Sequence, residues 1–132
     1  MNDIIVEGRS LVNIERYLFE EIKGKELWGD LNVSPEEYEI LRGKIKEALE
    51  RMSIDDVCTR YPISFATLLV FLMRYKYNYN FWGLLKEELS INFDGAKESA
   101  IGKNIRKTFD RYGFDYSDVK DEKYVNIAPI LY

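Results

Sequence analysis

The chain has 132 residues, of which 46% are hydrophobic and 14% aromatic, and this composition suits one folded domain rather than a disordered segment. Histidine is absent and Cys58 is the only cysteine, which excludes histidine-dependent catalysis, internal disulfides and zinc sites with several cysteines. The net charge of −4 at pH 7 is opposite in sign to that of a strongly basic nucleic-acid-binding domain.

The sequence also indicates a soluble, cytoplasmic protein. Its longest apolar run, at residues 65–73, is interrupted only by Thr67 and is far shorter than the roughly 18 residues that span a bilayer. The first residues show no basic group before an apolar stretch, so they do not resemble a secretion signal. We therefore expect no contact with a membrane, and a single cysteine requires no oxidising compartment.

Apolar residues at helical spacing predict a first helix that begins near Ser10 and ends around Gly24. Glu15 lies on another face of this helix, outside the apolar stripe. In the connector that follows, two residues interrupt the helical period, and we expect the large indole of Trp28 to anchor the connector to the core.

The clearest start signal for a helix is Ser34-Pro35-Glu36-Glu37. It combines a capping serine, a proline at the first helical position and a glutamate that can return the capping hydrogen bond. A helix should run from there to about Arg51. Its apolar stripe steps by three and four residues and consists of Tyr38, Leu41, Ile45, Ala48 and Met52.

The middle of the chain contains the most apolar helical pattern. Ser53 can cap a short helix that Pro62 ends, and Ser64 is then expected to begin the next one. From Phe65 to Tyr75, apolar residues occupy nearly every face of that helix. Because such a helix has to be covered on all sides, we predict that it is the central helix of the fold.

Two further helices are predicted. A turn precedes a short helix at residues 81–89, and a longer helix should run from Gly95 to Tyr112, where Gly113 is well placed to end it. Helical patterns joined by short connectors, without internal repeats, predict an all-α fold: a compact bundle of five or six helices in a single domain over residues 1–132.

The last part of the chain has a different pattern. Residues 115–123 are polar and charged, and residues 124–132 contain a short apolar alternation, which is typical of a small hairpin or an extended segment. The sequence ends in the apolar residues Ile130-Leu131-Tyr132, whereas most chain termini are polar. Two explanations are open. Either this end packs on the core, or the chain was truncated from a longer protein.

The predicted helix at residues 95–112 carries a concentration of basic charge. Residues 97–111 include five basic and two acidic residues, a local net charge of +3. At helical spacing, Lys103, Lys107 and Arg111 form one row opposite the apolar stripe, with Arg106 beside it. Such a row can bind the phosphates of a nucleic acid. The alternative is that the row is simply a solvated face.

A second candidate segment, residues 74–82, contains five aromatic residues and two bases. Its rings could stack on unpaired bases, with Lys76 and Tyr77 assisting the basic row. The alternative is a packing role, because aromatic side chains supply much of the area that a core buries. The core members would then be Tyr75, Phe81 and Trp82.

Four acidic residues, Asp115, Asp118, Asp121 and Glu122, could offer oxygen ligands to a hard cation. They lack the glycine and the ligand spacing of a calcium loop, and a solvated cluster explains them as well. Cys58 has no histidine to activate it, so we expect it to be a small buried hydrophobe. We expect no metal ion and no cofactor.

The second half of the chain contains the motifs Phe81-Trp82, Gly102-Lys103-Asn104-Ile105-Arg106, Tyr112-Gly113-Phe114 and Tyr124-Val125-Asn126-Ile127. In order and spacing they resemble a helical segment near the start of large bacterial proteins from phage-defence and mobile-element neighbourhoods. The resemblance covers about residues 65–132 and brings no catalytic residues with it. It implies a truncated accessory domain whose enzymatic partner domain lies downstream.

These observations predict a non-catalytic helical interaction or accessory module, part of a larger bacterial or phage-related protein. Its partner would be another protein or a downstream domain of the same chain. The first alternative is a nucleic-acid-binding domain that uses the basic helix face at residues 103–111. A third hypothesis is a metal-dependent hydrolase that uses the acidic cluster.

Overall fold

The computed structural model describes residues 10–25, 27–76 and 80–114. These residues form six α-helices, a short 3₁₀-helix at Trp28–Leu31 and a π-helical turn at Leu72–Lys76, with no strand in the described ranges. The helices are α1 (Leu11–Glu21), α2 (Pro35–Leu49), α3 (Ile54–Arg60), α4 (Pro62–Phe71), α5 (Phe81–Leu89) and α6 (Gly95–Tyr112). The predicted all-α bundle is confirmed. The hairpin proposed for residues 124–132 lies outside the described residues.

Helix α4 is the central helix, as its apolar pattern predicted. Every residue from Ile63 to Leu72 is buried, and α4 packs against α1, α2, α3, α6 and the 3₁₀-helix. The prediction is wrong at Tyr75, whose side chain is 59% exposed. The π-helical turn changes the angular spacing of the residues after Phe71, and the chain reaches the surface there.

Helix α4 begins at Pro62 and not at Ser64 as predicted. Proline has no N–H to satisfy and therefore suits the first position of a helix. The next two backbone N–H groups, of Ile63 and Ser64, donate to the carboxylate of Glu15 at 3.1 and 2.8 Å, and the Ser64 hydroxyl donates to it at 2.8 Å. Glu15 thus caps the central helix from α1 and does not simply face solvent.

The other helix starts are capped locally. In α2, the Glu37 N–H donates to the Ser34 hydroxyl at 3.1 Å, and the Ser34 N–H donates to the Glu37 carboxylate at 3.0 Å, which confirms the predicted capping box. Four further helices are capped by the side chains of Ser10, Ser53, Asn80 and Asp94. Helix α6 has the predicted bounds, whereas α1 and α2 end slightly before the predicted ends at Gly24 and Arg51.

The indole of Trp28 anchors the connector between α1 and α2, as predicted. It is 2% exposed, and its N–H donates to the Thr67 hydroxyl of α4 at 3.0 Å. The same hydroxyl donates to the carbonyl of Ile63 at 2.7 Å. The buried indole and the buried hydroxyl therefore satisfy each other inside the core.

No single helix in the described ranges is long and apolar enough to cross a membrane. In the same part of the chain, one pair reaches the required length and composition together: α3 with the stretch Pro62–Lys76, which is bent by 106° at the break between them.

We predict that Thr67→Val destabilises the protein by about 1–3 kcal/mol, because it leaves the buried indole N–H of Trp28 without an acceptor. Urea denaturation gives this difference. In a Trp28→Phe background there is no indole N–H to satisfy, so the same change at Thr67 should cost less. An equal cost in both backgrounds would show that the hydrogen bond contributes nothing measurable.

The capping carboxylate also gives a prediction for pH. Burial raises the pKa of Glu15 from its usual value near 4.5 and outweighs the opposing hydrogen bonds from Ser64 and Ile63. The folded chain therefore binds this proton more tightly than the unfolded chain. The difference in unfolding free energy between the unchanged protein and Glu15→Gln should favour the unchanged protein most below about pH 4.5. This difference should decline as the pH rises through the raised pKa of Glu15.

Denaturation at a series of pH values from 4 to 7 measures this difference. Glu47→Gln is the matched control, because it removes a carboxylate from α2 whose side chain is 65% exposed. A difference for Glu15→Gln that grows as pH rises would contradict the assignment.

Candidate functional site

The titratable groups in the described part of the chain do not converge on a metal site. No group of three or more cysteine, aspartate or glutamate side chains there lies close enough to hold a metal ion. The four residues of the acidic cluster at 115–122 lie outside the described residues. Cys58 is buried as predicted, at 2% exposure, and burial, followed by the charge of Asp55, raises the pKa of its thiol to about 12.

The predicted basic row exists on α6. Lys103, Lys107 and Arg111 are exposed, opposite the buried Ile101, Ile105 and Phe109. Within the described ranges, neither lysine of the row has a hydrogen bond or an ion pair to another residue. Arg106 lies beside the row and is half-buried.

The other two residues proposed for a nucleic-acid site do not join the row. Lys76 forms an ion pair with Glu88 of α5 at 3.3 Å, and its ammonium lies 5.2 Å from the ring centre of Tyr38 in α2. These contacts hold Lys76 on the side of α2 and α5. Tyr77 lies outside the described residues.

A polar cluster that the sequence did not indicate surrounds Glu88. Its carboxylate accepts a hydrogen bond from the Tyr38 hydroxyl at 2.5 Å, and its carbonyl accepts one from the Arg42 guanidinium at 3.1 Å. Burial and then the hydrogen bond to Glu88 raise the pKa of Tyr38. Although burial acts in the opposite direction, the hydrogen bonds from Tyr38 and Lys76 lower the pKa of Glu88. The hydrogen bond between the Tyr38 phenol and the Glu88 carboxylate braces α2 against α5.

The aromatic segment at residues 74–82 mostly has a packing role. Phe81 is buried, and the ring of Trp82 contacts those of Phe81 and Phe93 at centroid distances of 5.3 and 6.2 Å. Tyr75 is the exception, because its residue is 59% exposed while its ring contacts the buried Phe71 at 4.8 Å. Arg74 turns inward and donates to the carbonyl of Gly29 at 2.7 Å.

An apolar surface that the sequence did not indicate lies between the ends of α1 and α6. Phe19 of α1 is 38% exposed. Its ring contacts the ring of Tyr112 at 5.9 Å, edge to face, and the ammonium of Lys23 lies 4.6 Å from its centre. Val12, two turns earlier on the same side of α1, is 50% exposed.

Phe19, Lys23 and Tyr112 border a groove of about 260 Å³, which we call the α1–α6 groove. Its lining contains aromatic and aliphatic side chains and two lysines, but no carboxylate, and consists of Phe19, Ile22, Lys23, Gly24, Lys25, Tyr112 and Phe114. The groove therefore combines an apolar floor with two lysines at its rim, of which Lys23 forms an ion pair with Glu20 at 2.8 Å.

Two glycine turns shape the groove. Gly24 follows α1 with φ of +81°, and Gly113 ends α6 with φ of +77°, a conformation that other residues adopt only with strain. After Gly113 the chain turns inward, and the ring of Phe114 packs against Trp28 at 4.9 Å. The floor of the groove is therefore continuous with the anchored connector.

Comparisons with protein-family models, with curated proteins and with solved structures found no match. The resemblance to the helical segment of large bacterial proteins therefore stays a prediction, and the assignment of function depends on the surfaces described above.

Proposed function

We propose that this protein is a non-catalytic helical interaction module, and that the α1–α6 groove is its contact surface for a partner protein or for another domain of the same polypeptide. The observation that carries this proposal is the partial exposure of Phe19 at the edge of an apolar groove. Aromatic side chains in such positions contribute much of the binding energy at protein interfaces.

The chemistry of the groove suits binding. Its floor is already formed by Ile22, Tyr112 and Phe114, so little reorganisation is needed when a partner side chain enters. At the rim, Lys25 is exposed, whereas Lys23 forms an ion pair with Glu20 of α1 at 2.8 Å. Lys25 can therefore favour a partner with an acidic residue near its apolar anchor, because charged rims favour specificity and association rate. The lining contains no pair of groups that could act as a nucleophile and its base.

We predict that Phe19→Ser weakens partner binding by about 2 kcal/mol, which is roughly a 30-fold increase in Kd. The unchanged protein is used to capture partners from its native host, and the Kd of each captured protein is then measured by calorimetry. The variant should keep its fold, because the ring of Phe19 is already 38% exposed.

Tyr75→Ser is the matched control, since it removes an aromatic ring that is 59% exposed at another part of the surface. It should leave the Kd unchanged. Equal binding by both variants and the unchanged protein would contradict the proposed contact surface.

A second candidate function is nucleic-acid binding through the basic row of α6. The observation that favours it is the alignment of Lys103 and Lys107, both exposed and without an acidic partner in the described part of the chain. Arg111 extends the same row. Contacts of this kind attract phosphates regardless of sequence and are weakened by salt.

If this second function operates, the double variant Lys103→Glu/Lys107→Glu should lose binding to mixed-sequence DNA and RNA at low salt. The dependence of log K on log salt should become shallower by about 1 for each phosphate contact removed. Fluorescence anisotropy at two salt concentrations measures both effects.

Lys46→Glu/Arg51→Glu makes the same change in net charge in α2 and just beyond its end and is the matched control. Binding that is absent at low ionic strength, or that is equally weak in both double variants, would remove this candidate.

A further inference from the structure

The α1–α6 groove lies at the point where the described part of the chain ends. Phe114 is one of the residues that line the groove, and the sequence continues from it into residues 115–132. This eighteen-residue segment is therefore tethered directly at the groove.

The composition of the segment complements the groove. Residues 115–123 contain four acidic and two basic residues, which suits the exposed Lys25 of the rim, since Lys23 already forms an ion pair with Glu20 at 2.8 Å. Residues 124–132 are mostly aromatic and aliphatic, with Tyr124, Val125 and Ile127 among them, which suits an apolar floor. Opposite charge and apolar area are the two features by which a docking surface recognises a peptide.

We propose that residues 115–132 fold back and occupy the α1–α6 groove of the same chain, so that a partner has to displace them before it can bind. The regulatory part of this inference rests on the proposed function, because it concerns the same groove. The docking itself does not depend on any partner.

The tether favours this occupant over a free peptide. Ala128 follows Phe114 by fourteen residues, and an undocked chain of that length extends about 20 Å on average. Linkers of this length give effective concentrations in the mM range. Contacts too weak to hold a free peptide are therefore sufficient within one chain.

The test places a nitroxide label in the full chain at Ala128→Cys. Cys58 is buried at 2% exposure, so the introduced thiol reacts selectively with the labelling reagent. We expect loss of amide NMR signal at the end of α1, from Ile22 to Lys25, and no loss at Lys44 on the outer side of α2. An undocked label also comes near α1, because Phe114 lines the same groove as Ile22 and Lys25. Docking is therefore measured as the difference in signal loss between the unchanged protein and the variants below.

Phe19→Ser removes the aromatic ring at the edge of the groove and Lys25→Glu reverses one rim charge, and each should restore the α1 signals. Tyr75→Ser changes an exposed aromatic ring that does not line the groove and should leave the loss intact. Signals at α1 that are unaffected by the label in the unchanged protein would overturn the inference. A loss that is the same in all three variants would also overturn it.

A mixed sample distinguishes the source of the docked segment. Isotope-labelled chains without nitroxide are combined with unlabelled chains that carry it, and signal loss in this sample would mean that a second copy supplies the segment, which overturns docking within one chain. The nitroxide experiment contains no partner protein. A result without docking would therefore leave the proposed Phe19-dependent binding of a partner unaffected. Conversely, docking without any such binding would refute the proposed function and leave the docking established.

Discussion

Helix α4 is buried on all sides, and its burial removes water from polar groups that then need hydrogen-bond partners within the protein. The partners of these groups determine how the neighbouring elements are placed. Ile63 to Leu72 supply a continuous buried segment, and apolar burial is the main favourable term in folding. The first turn of a buried helix has N–H groups that cannot reach water. Glu15 of α1 satisfies two of them, and the indole of Trp28 is paired with the hydroxyl of Thr67. The central helix thus fixes both α1 and the connector.

This arrangement also decides which side chains remain at the surface. Helix α1 turns Ile14 and Leu18 towards the core, and the capping role of Glu15 sets its rotation further. Phe19 therefore lies at the edge of the covered face, next to Tyr112. Helix α6 buries Ile101, Ile105 and Phe109 and turns its lysines outward, so an apolar groove and a cationic row arise on elements that pack around the same helix.

The other end of α4 is held by different chemistry. The π-helical turn places Arg74 against the carbonyl of Gly29 and brings Lys76 to Glu88. Glu88 also accepts the hydroxyl of Tyr38, which joins α2 to α5. These contacts tie the loop regions to the helices around the core, and they leave the exposed ring of Tyr75 outside the packed interior.

The sequence alone determined the helices and the identity of the central one. Capping residues such as Ser34, and Gly113 with its left-handed backbone conformation after α6, act on neighbouring residues only. Apolar spacing indicates which side of a helix is covered, so the exposed row of Lys103 and Lys107 was also predictable. Only the tertiary structure decided the role of Glu15, the exposure of Tyr75 and the α1–α6 groove. Glu15 finds its partners nearly fifty residues away, and the groove joins two helix ends from opposite parts of the chain. Local spacing specifies which residues share a face, whereas the distances between faces depend on how the whole chain packs.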